Sequence, residues 1–424
     1  MALRSPFPLI GLGLLLLAAP SGAADDPPGL TLADAARWHL LADAAAALDP
    51  EVIAAEAEVR AAEALVAQAR ATNNPALEVE LEEFAPWDDL GTPTARVGYL
   101  VEREGRGKIA GRVAVAEAEV ARARAEAAAL RNEAAGEVLE LLVEVAPIET
   151  AIAALRQSQG LLETTVQVIS LRVEEGEAPG SELRRLQAES SAALAELLQL
   201  EAELQGAWIP IASRTGRSPE DAQEHFGDFT LAVPRWELAQ WQEAALAHHP
   251  TLALYAAEIG IVERELAAAR AESRSDLTYS AFVERSEEAT SVGVGLEIPL
   301  KQGGNGTAAL QEALTIRTTA AQDARHMAQQ RIQLEVAQRW AALQATQAPI
   351  DTLANEALPA AARARDAAHL AYTEGEGTLL DYLDAVRQHQ ELVAQLVEAR
   401  AAHQRALVAL VIAAGLAAHP EVLQ

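Results

Sequence analysis

Residues Pro50 to Leu77 return as Pro250 to Leu277, shifted by 200 positions without a gap. Alanine matches carry little weight in an alanine-rich chain. The pairs Pro50/Pro250, Glu58/Glu258, Glu63/Glu263, Arg70/Arg270 and Leu77/Leu277 carry more. Further on, Ala146-Pro147-Ile148 returns as Ala348-Pro349-Ile350, and Glu175-Gly176-Glu177 as Glu374-Gly375-Glu376. The chain is thus read as a tandem duplication, and a duplication decides the fold before any single element does. The expected layout is a leader over 1–24, a first repeat over 25–213, a linker or equatorial segment over 214–234 and a second repeat over 235–424.

Each repeat opens with helical sequence broken by a proline, 31–47 and 50–72 in the first, then changes period. Leu77, Val79 and Leu81 alternate with Glu78, Glu80 and Glu82, and Ala95, Val97, Tyr99 and Val101 form the next apolar face. In the second repeat Leu277, Tyr279, Ala281 and Val283 share one face. After a tight turn at Ser286 to Ala289, Val292, Val294, Leu296 and Ile298 share another. A period of two over four short segments predicts two β-hairpins, at 77–102 and 277–298. Each strand is about 9 residues, the length of a tilted membrane-spanning strand. Four strands with one apolar face have nothing to pack on and two exposed edges. Three chains would supply twelve strands, enough to close a barrel.

The remainder reads as long helices. From about Gly107 to Glu174, and from about Thr307 to Glu374, the sequence is rich in Ala, Glu, Arg, Gln and Leu. At ~1.5 Å per residue each stretch would reach ~100 Å, with kinks expected at Pro147 and Pro349. Each ends at an acidic, glycine-containing turn, Gly176 or Gly375, and a helix returns, about 181–213 and 378–416. The fold class expected is mainly α with a small membrane β-barrel.

Composition narrows the function. Residues 1–24 carry Arg4, an apolar run from Leu9 to Ala19, and Gly22-Ala23-Ala24 before Asp25, the pattern of a secretory leader. No later stretch of about 18 apolar residues offers a spanning helix. Cysteine is absent, which removes disulfides, a thiol nucleophile, thiolate metal sites and a lipidated N-terminal cysteine. A formal charge of −29, with Lys108 and Lys301 the sole lysines, speaks against a nucleic-acid partner and suits a cation pathway. The nine histidines form no HxH or HExxH pattern, so no metal site is expected. The Gly303 to Gly306 segment lacks the Lys-Ser/Thr of a phosphate loop, and no GxSxG occurs. Neither a catalytic residue nor a bound cofactor is expected.

Several segments match a known family. They are Asn74-Pro75-Ala76-Leu77-Glu78-Val79-Glu80 entering the first strand, Glu104-Gly105-Arg106-Gly107-Lys108 after the first hairpin, and Ile298 to Gly306 leaving the second. Tyr372-Thr373-Glu374-Gly375, followed by Asp381-Tyr382-Leu383-Asp384-Ala385, forms the second helical tip. Over essentially its whole mature length the chain resembles the TolC outer-membrane efflux family, and within it the CzcC-like components of heavy-metal cation efflux. The resemblance implies a homotrimer in outer-membrane lipid, with a twelve-stranded barrel continued by an α-helical tunnel through the periplasm. It implies a periplasmic adaptor and an inner-membrane pump of the resistance-nodulation-division type as partners, and a passive duct rather than an enzyme. A periplasmic coiled-coil scaffold would share the acidic, helical, duplicated character but has no use for strands of spanning length. A duct for drugs rather than metals stays open.

The candidate site residues cluster at the tips. Asp381 and Asp384, three apart at a helix start, share a face, and acids there offset the helix dipole. The resemblance implies that they ring the narrowest point of the channel, where threefold symmetry sets six carboxylates about one axis. Gly176 and Gly375 allow left-handed turns and, by the resemblance, shape the surface that meets the adaptor. The resemblance also implies that Glu182 accepts a hydrogen bond from Tyr372, tying the inner helix pair to the outer. Two positions depart from the family pattern: Gly377, where a basic residue is usual, and Glu182, where Asp is usual. A thinner closing network is therefore expected.

Overall fold

The computed structural model describes residues 32–82, 94–227, 231, 235–286, 289–299 and 305–423. The leader over 1–24, the loop over 85–93 and the glycine-rich exit over 301–304 lie outside the described residues. The first repeat runs α1 (Leu32–Leu48), α2 (Pro50–Ala69), β1 (Ala76–Glu82), β2 (Thr94–Arg103), α3 (Lys108–Val143), α4 (Val145–Glu174) and α5 (Gly180–Thr215). A short α6 (Pro219–Phe226) falls within the segment expected as a linker. The second repeat runs α7 (Leu238–His248), α8 (Pro250–Glu272), β3 (Leu277–Arg285), β4 (Thr290–Glu297), α9 (Asn305–Thr352), α10 (Leu358–Glu374) and α11 (Leu379–Ala413).

The prolines act slightly away from where they stand. A proline removes one helical donor and its ring presses on the carbonyl four residues earlier. For Pro147 that carbonyl belongs to Val143, and α3 ends there, with Glu144 closing it by bonding Leu141 O at 3.3 Å. Pro349 is carried inside α9 without ending it. The irregularity expected there comes later, as a π-turn at Leu353–Ala357 in which Leu358 N–H reaches back to Leu353 O. Its cause is Pro359, whose i−4 carbonyl, on Asn355, lies within the widened turn.

All four strands form one antiparallel sheet in the order β1-β2-β3-β4, so the central pairing, β2 with β3, joins the two repeats. The registers align Leu77, Tyr99, Ala281 and Val294 in one row and Val79, Val97, Val283 and Val292 in the next. This face is uncovered: Leu77 is 71%, Val292 79% and Val294 86% exposed. The opposite face carries Glu78, Glu80, Arg96, Phe282 and Glu284, among others. β1 and β4 are open edges.

The main core lies among the helices. Trp38, Trp208 and Trp241 are fully buried together with Leu139, Ile211 and Leu410, and Trp236 and Trp340 pack against them. A chain poor in aromatics thus spends most of its tryptophans on one cluster, where α1, α3, α5, α7, α9 and α11 meet. A second cluster, with Leu162, Ile169, Leu186, Tyr372, Tyr382 and Leu383, lies under the helical tips.

The two repeats cap their second helices differently. Asp49 accepts from Glu51 N at 2.8 Å and Val52 N at 3.2 Å, while at the equivalent place His249 Nδ1 accepts from Thr251 N at 3.2 Å. An imidazole can accept there only while that nitrogen is unprotonated. Burial holds the His249 imidazole below its ordinary value, opposed by the Glu335 charge. The unfolded chain therefore takes up the proton first. The contribution of this cap is complete above pH ~6.5 and is lost as pH falls through the lower, folded value. His389 and His403, also lowered chiefly by burial, act with the same sign. Thermal melts of the purified protein should lose stability between pH 7 and pH 5. His249→Asn, which keeps a capping oxygen worth about 1 kcal/mol, should flatten that slope. An identical slope in wild type and variant would remove His249 from the account.

Candidate functional site

The helical hairpins α4–α5 and α10–α11 end in two turns of the same construction. Gly176 and Gly375 both sit at φ +78°, in the left-handed region. Behind Gly176, Glu177 N and Ala178 N both bond Arg172 O, at 2.7 and 3.2 Å. Behind Gly375, Glu376 N and Gly377 N both bond Ala371 O at 2.9 Å. A Cβ at either φ-positive glycine would meet nothing within 4 Å, so the requirement is conformational and not steric. Gly377 is different. A Cβ there would lie 3.1 Å from Ala371 Cβ and 3.2 Å from Tyr372 N, because this residue folds back against the end of α10. Larger residues fit only if that contact gives way.

Tyr372 Oη donates to Glu182 Oε2 at 3.0 Å, joining α10 to the first turn of α5. Tyr372 is 5% exposed and its ring stacks on Tyr382, 6.0 Å between centroids at 7°. Tyr382 in turn lies 3.4 Å, oxygen to oxygen, from Thr165 on α4. The Tyr372 hydroxyl is pushed well above its ordinary value, by burial first and then by the hydrogen bond and charge of Glu182, so it stays a donor at any physiological pH.

A second link between the same two hairpins lies deeper. Just over two turns into α11, Arg387 clamps Glu189 of α5 with two hydrogen bonds, at 2.9 and 2.8 Å. The pair lowers the Glu189 carboxyl and raises the guanidinium. Arg172 also reaches Thr373 O at 3.4 Å. Two arginines thus join the hairpins away from position 377, Arg387 within α11 and Arg172 in the last turn of α4. The signal that could have found the pair was its spacing, since Glu189 and Arg387 fall 13 and 12 residues after the two tip glycines.

Asp381 and Asp384 are both exposed at the start of α11. Asp381 also serves the fold. Its Oδ2 accepts from Thr378 N at 3.4 Å and its own N–H donates to Thr378 Oγ1 at 3.2 Å, a capping box to which the Thr378 hydroxyl adds a bond to Oδ2 at 2.6 Å. Asp384 has no such tie, and its charge adds to the raising of Arg387. Among the described residues, no three His, Cys, Asp or Glu side chains are placed to hold a metal ion, and no helix is long and apolar enough to cross a membrane.

A joint of buried charge lies where the hairpins meet the helices. Lys108, 8% exposed at the start of α3, donates to Asp276 Oδ2 at 2.7 Å and pairs with Glu272 at 3.1 Å. Asp276 Oδ1 accepts from Gly105 N at 2.7 Å, and Glu104 is bound by Arg112. Burial opposes the charge on Lys108, but its hydrogen bonds to Asp276 and Glu272 raise it above the ordinary lysine value. The first repeat's exit from the sheet is thus fastened to the second repeat's entrance.

Comparison with known proteins agrees with this architecture. The profile of the family described as outer membrane efflux protein matches residues 241–416. The cobalt-zinc-cadmium resistance protein CzcC of Cupriavidus metallidurans is 25% identical over 343 residues, 79% of each chain. Among solved structures, the outer membrane protein VceC of Vibrio cholerae superposes with a TM-score of 0.63 at 20% identity, covering 90% of this chain and 96% of that one. The outer-membrane channel OprN gives 0.64 at 18%, covering 93% and 98%. The profile over the second repeat, a relative aligned along four-fifths of both chains and a fold shared nearly end to end make this chain similar to outer membrane efflux proteins in sequence and in fold.

Proposed function

We propose that three copies of this chain close a twelve-stranded barrel in the outer membrane, continued by a helical tunnel, as the passive exit duct of a tripartite efflux system. The observation that carries this reading is the sheet: four strands per chain, two open edges, and an uncovered apolar face. In lipid only closed barrels and helices satisfy their backbone groups. Three sheets joined edge to edge close both exposed rims and turn the row of Leu77, Tyr99 and Val294 toward hydrocarbon, the polar row inward.

In this reading the turns at Gly176 and Gly375 meet a periplasmic adaptor, which links the duct to an inner-membrane pump of the resistance-nodulation-division type. Asp381 and Asp384 ring the aperture, and heavy-metal cations are the cargo. The CzcC relative and the acidic character of the chain support that cargo. Metals pass as substrate and are not held. Membrane fractionation and native mass measurement should find an outer-membrane trimer. A soluble periplasmic monomer would overturn the reading. In planar bilayers Asp381→Asn/Asp384→Asn should lose cation preference, and unchanged reversal potentials would place selectivity elsewhere. A deletion strain sensitised to antibiotics but not to metals would reassign the cargo.

A further inference from the structure

The polar face of the sheet holds a feature that its acids alone do not explain. Running from the hairpin turns toward the helices, the inward rows are Glu82–Thr94, then Glu80–Arg96–Glu284–Ser291, then Glu78–Gly98–Phe282–Gly293, then Ala76–Leu100–Ser280–Gly295, then Glu102–Thr278–Glu297. Arg96 stands directly across from an acid on each side, Glu80 and Glu284. It pairs loosely with the first, Nη1 to Oε2 at 3.9 Å. Its guanidinium instead lies over the Phe282 ring, 3.7 Å from Cζ to the ring centroid, with Nε buried and bonded to nothing. Phe282 is the diagonal neighbour one row deeper, within reach of a long side chain.

Glycine makes this stack fit. A Cβ on Gly293 would collide with Phe282 Cζ, and one on Gly98 would lie 3.6 Å from Phe282 Cβ. The ring therefore lies flat across β4 instead of standing out from the sheet, and Arg96 forms the next layer. A guanidinium on an aromatic face keeps its charge while its position is fixed.

Resting on the trimeric duct proposed above, we infer that the Arg96–Phe282 stack is a second charge-selectivity element, a ring of three fixed cations inside an otherwise acidic barrel. It limits how strongly the barrel concentrates cations and admits accompanying anions. Its level, near the hairpin turns, is at the opposite end of the duct from Asp381 and Asp384.

The test is single-channel recording in a potassium chloride gradient, reading the K⁺/Cl⁻ permeability ratio. Removing a unit charge at several ångströms in water should raise that ratio about two- to threefold in Arg96→Gln. Because the chain contains no cysteine, Arg96→Cys provides a unique handle on a folded trimer. A cationic thiol reagent should restore the wild-type ratio, and an anionic one should push it beyond Arg96→Gln. Arg96→Gln trimers with the wild-type ratio, or Arg96→Cys trimers indifferent to the sign of the reagent, would overturn the inference and leave the duct standing. A wild-type chain that forms no channel at all would overturn both.

Discussion

In the proposed trimeric duct, Tyr372→Phe is expected to raise the single-channel conductance, with Glu182→Gln showing the same change more weakly. The hydrogen bond at 3.0 Å ties the α10–α11 hairpin to the α4–α5 hairpin of the same chain. The substitution leaves the stacking on Tyr382 in place and removes only the donor. A hydrogen bond to a charged group, here partly in water, contributes about 1.5 kcal/mol at the low end of its range. Three symmetric copies amount to about 4.5 kcal/mol, close to the ~5.5 kcal/mol that carries a two-state equilibrium from 1:99 to 99:1. The Arg387–Glu189 clamp works alongside but is half in solvent at the arginine, and exposed pairs contribute about 1 kcal/mol at most. Arg387→Gln alone should therefore change conductance less than Tyr372→Phe, and the two together more than either. If both Tyr372→Phe and Glu182→Gln conduct like wild type while the trimer stays intact, the link does not hold the duct shut.

Lys108→Met should lower the melting temperature more than any surface charge change in the chain. The methionine keeps the volume and removes the cation. Asp276 and Glu272 then face each other without their counter-charge beside the buried start of α3. Breaking a fully buried pair costs about 3–5 kcal/mol. The Asp276 side chain keeps 27% of its surface in water and Gly105 N still donates to it, so about 2–3 kcal/mol is expected here. A double-mutant cycle with Asp276→Leu separates the pair from its parts, since the second change removes the orphaned charge. Recovery of part of the loss in the double variant supports a clamp between the repeats. Additive losses would mean that the two side chains act independently.

What the sequence determined by itself was local and periodic. The duplication, the alternation that makes four strands and the glycines that end α4 and α10 depend on a few neighbouring residues and a backbone preference. The proline breaks before α2 and α8 are of the same kind. Each reads directly, because steric exclusion around proline and the freedom of glycine act within one turn of chain. The Tyr372–Glu182 bond, by contrast, was placed by family resemblance, and the two side chains do lie at hydrogen-bonding distance.

Tertiary structure decided everything that depends on distant residues meeting. Pairing of β2 with β3 joins segments some 180 positions apart, and alternation cannot say which strand neighbours which. The meeting of Arg387 with Glu189, and of Lys108 with Asp276, depends on how long helices and strands rotate against one another. Phe282 lies flat only because Gly293 stands opposite it in register, and a one-residue slip would turn the ring to the other face. Pro349 passed unmarked through α9, while the turn before Pro359 widened. The tryptophans gathered into one core for a related reason: helices distant in sequence converge at that level, and the rings pack there among leucine, valine, isoleucine and alanine side chains.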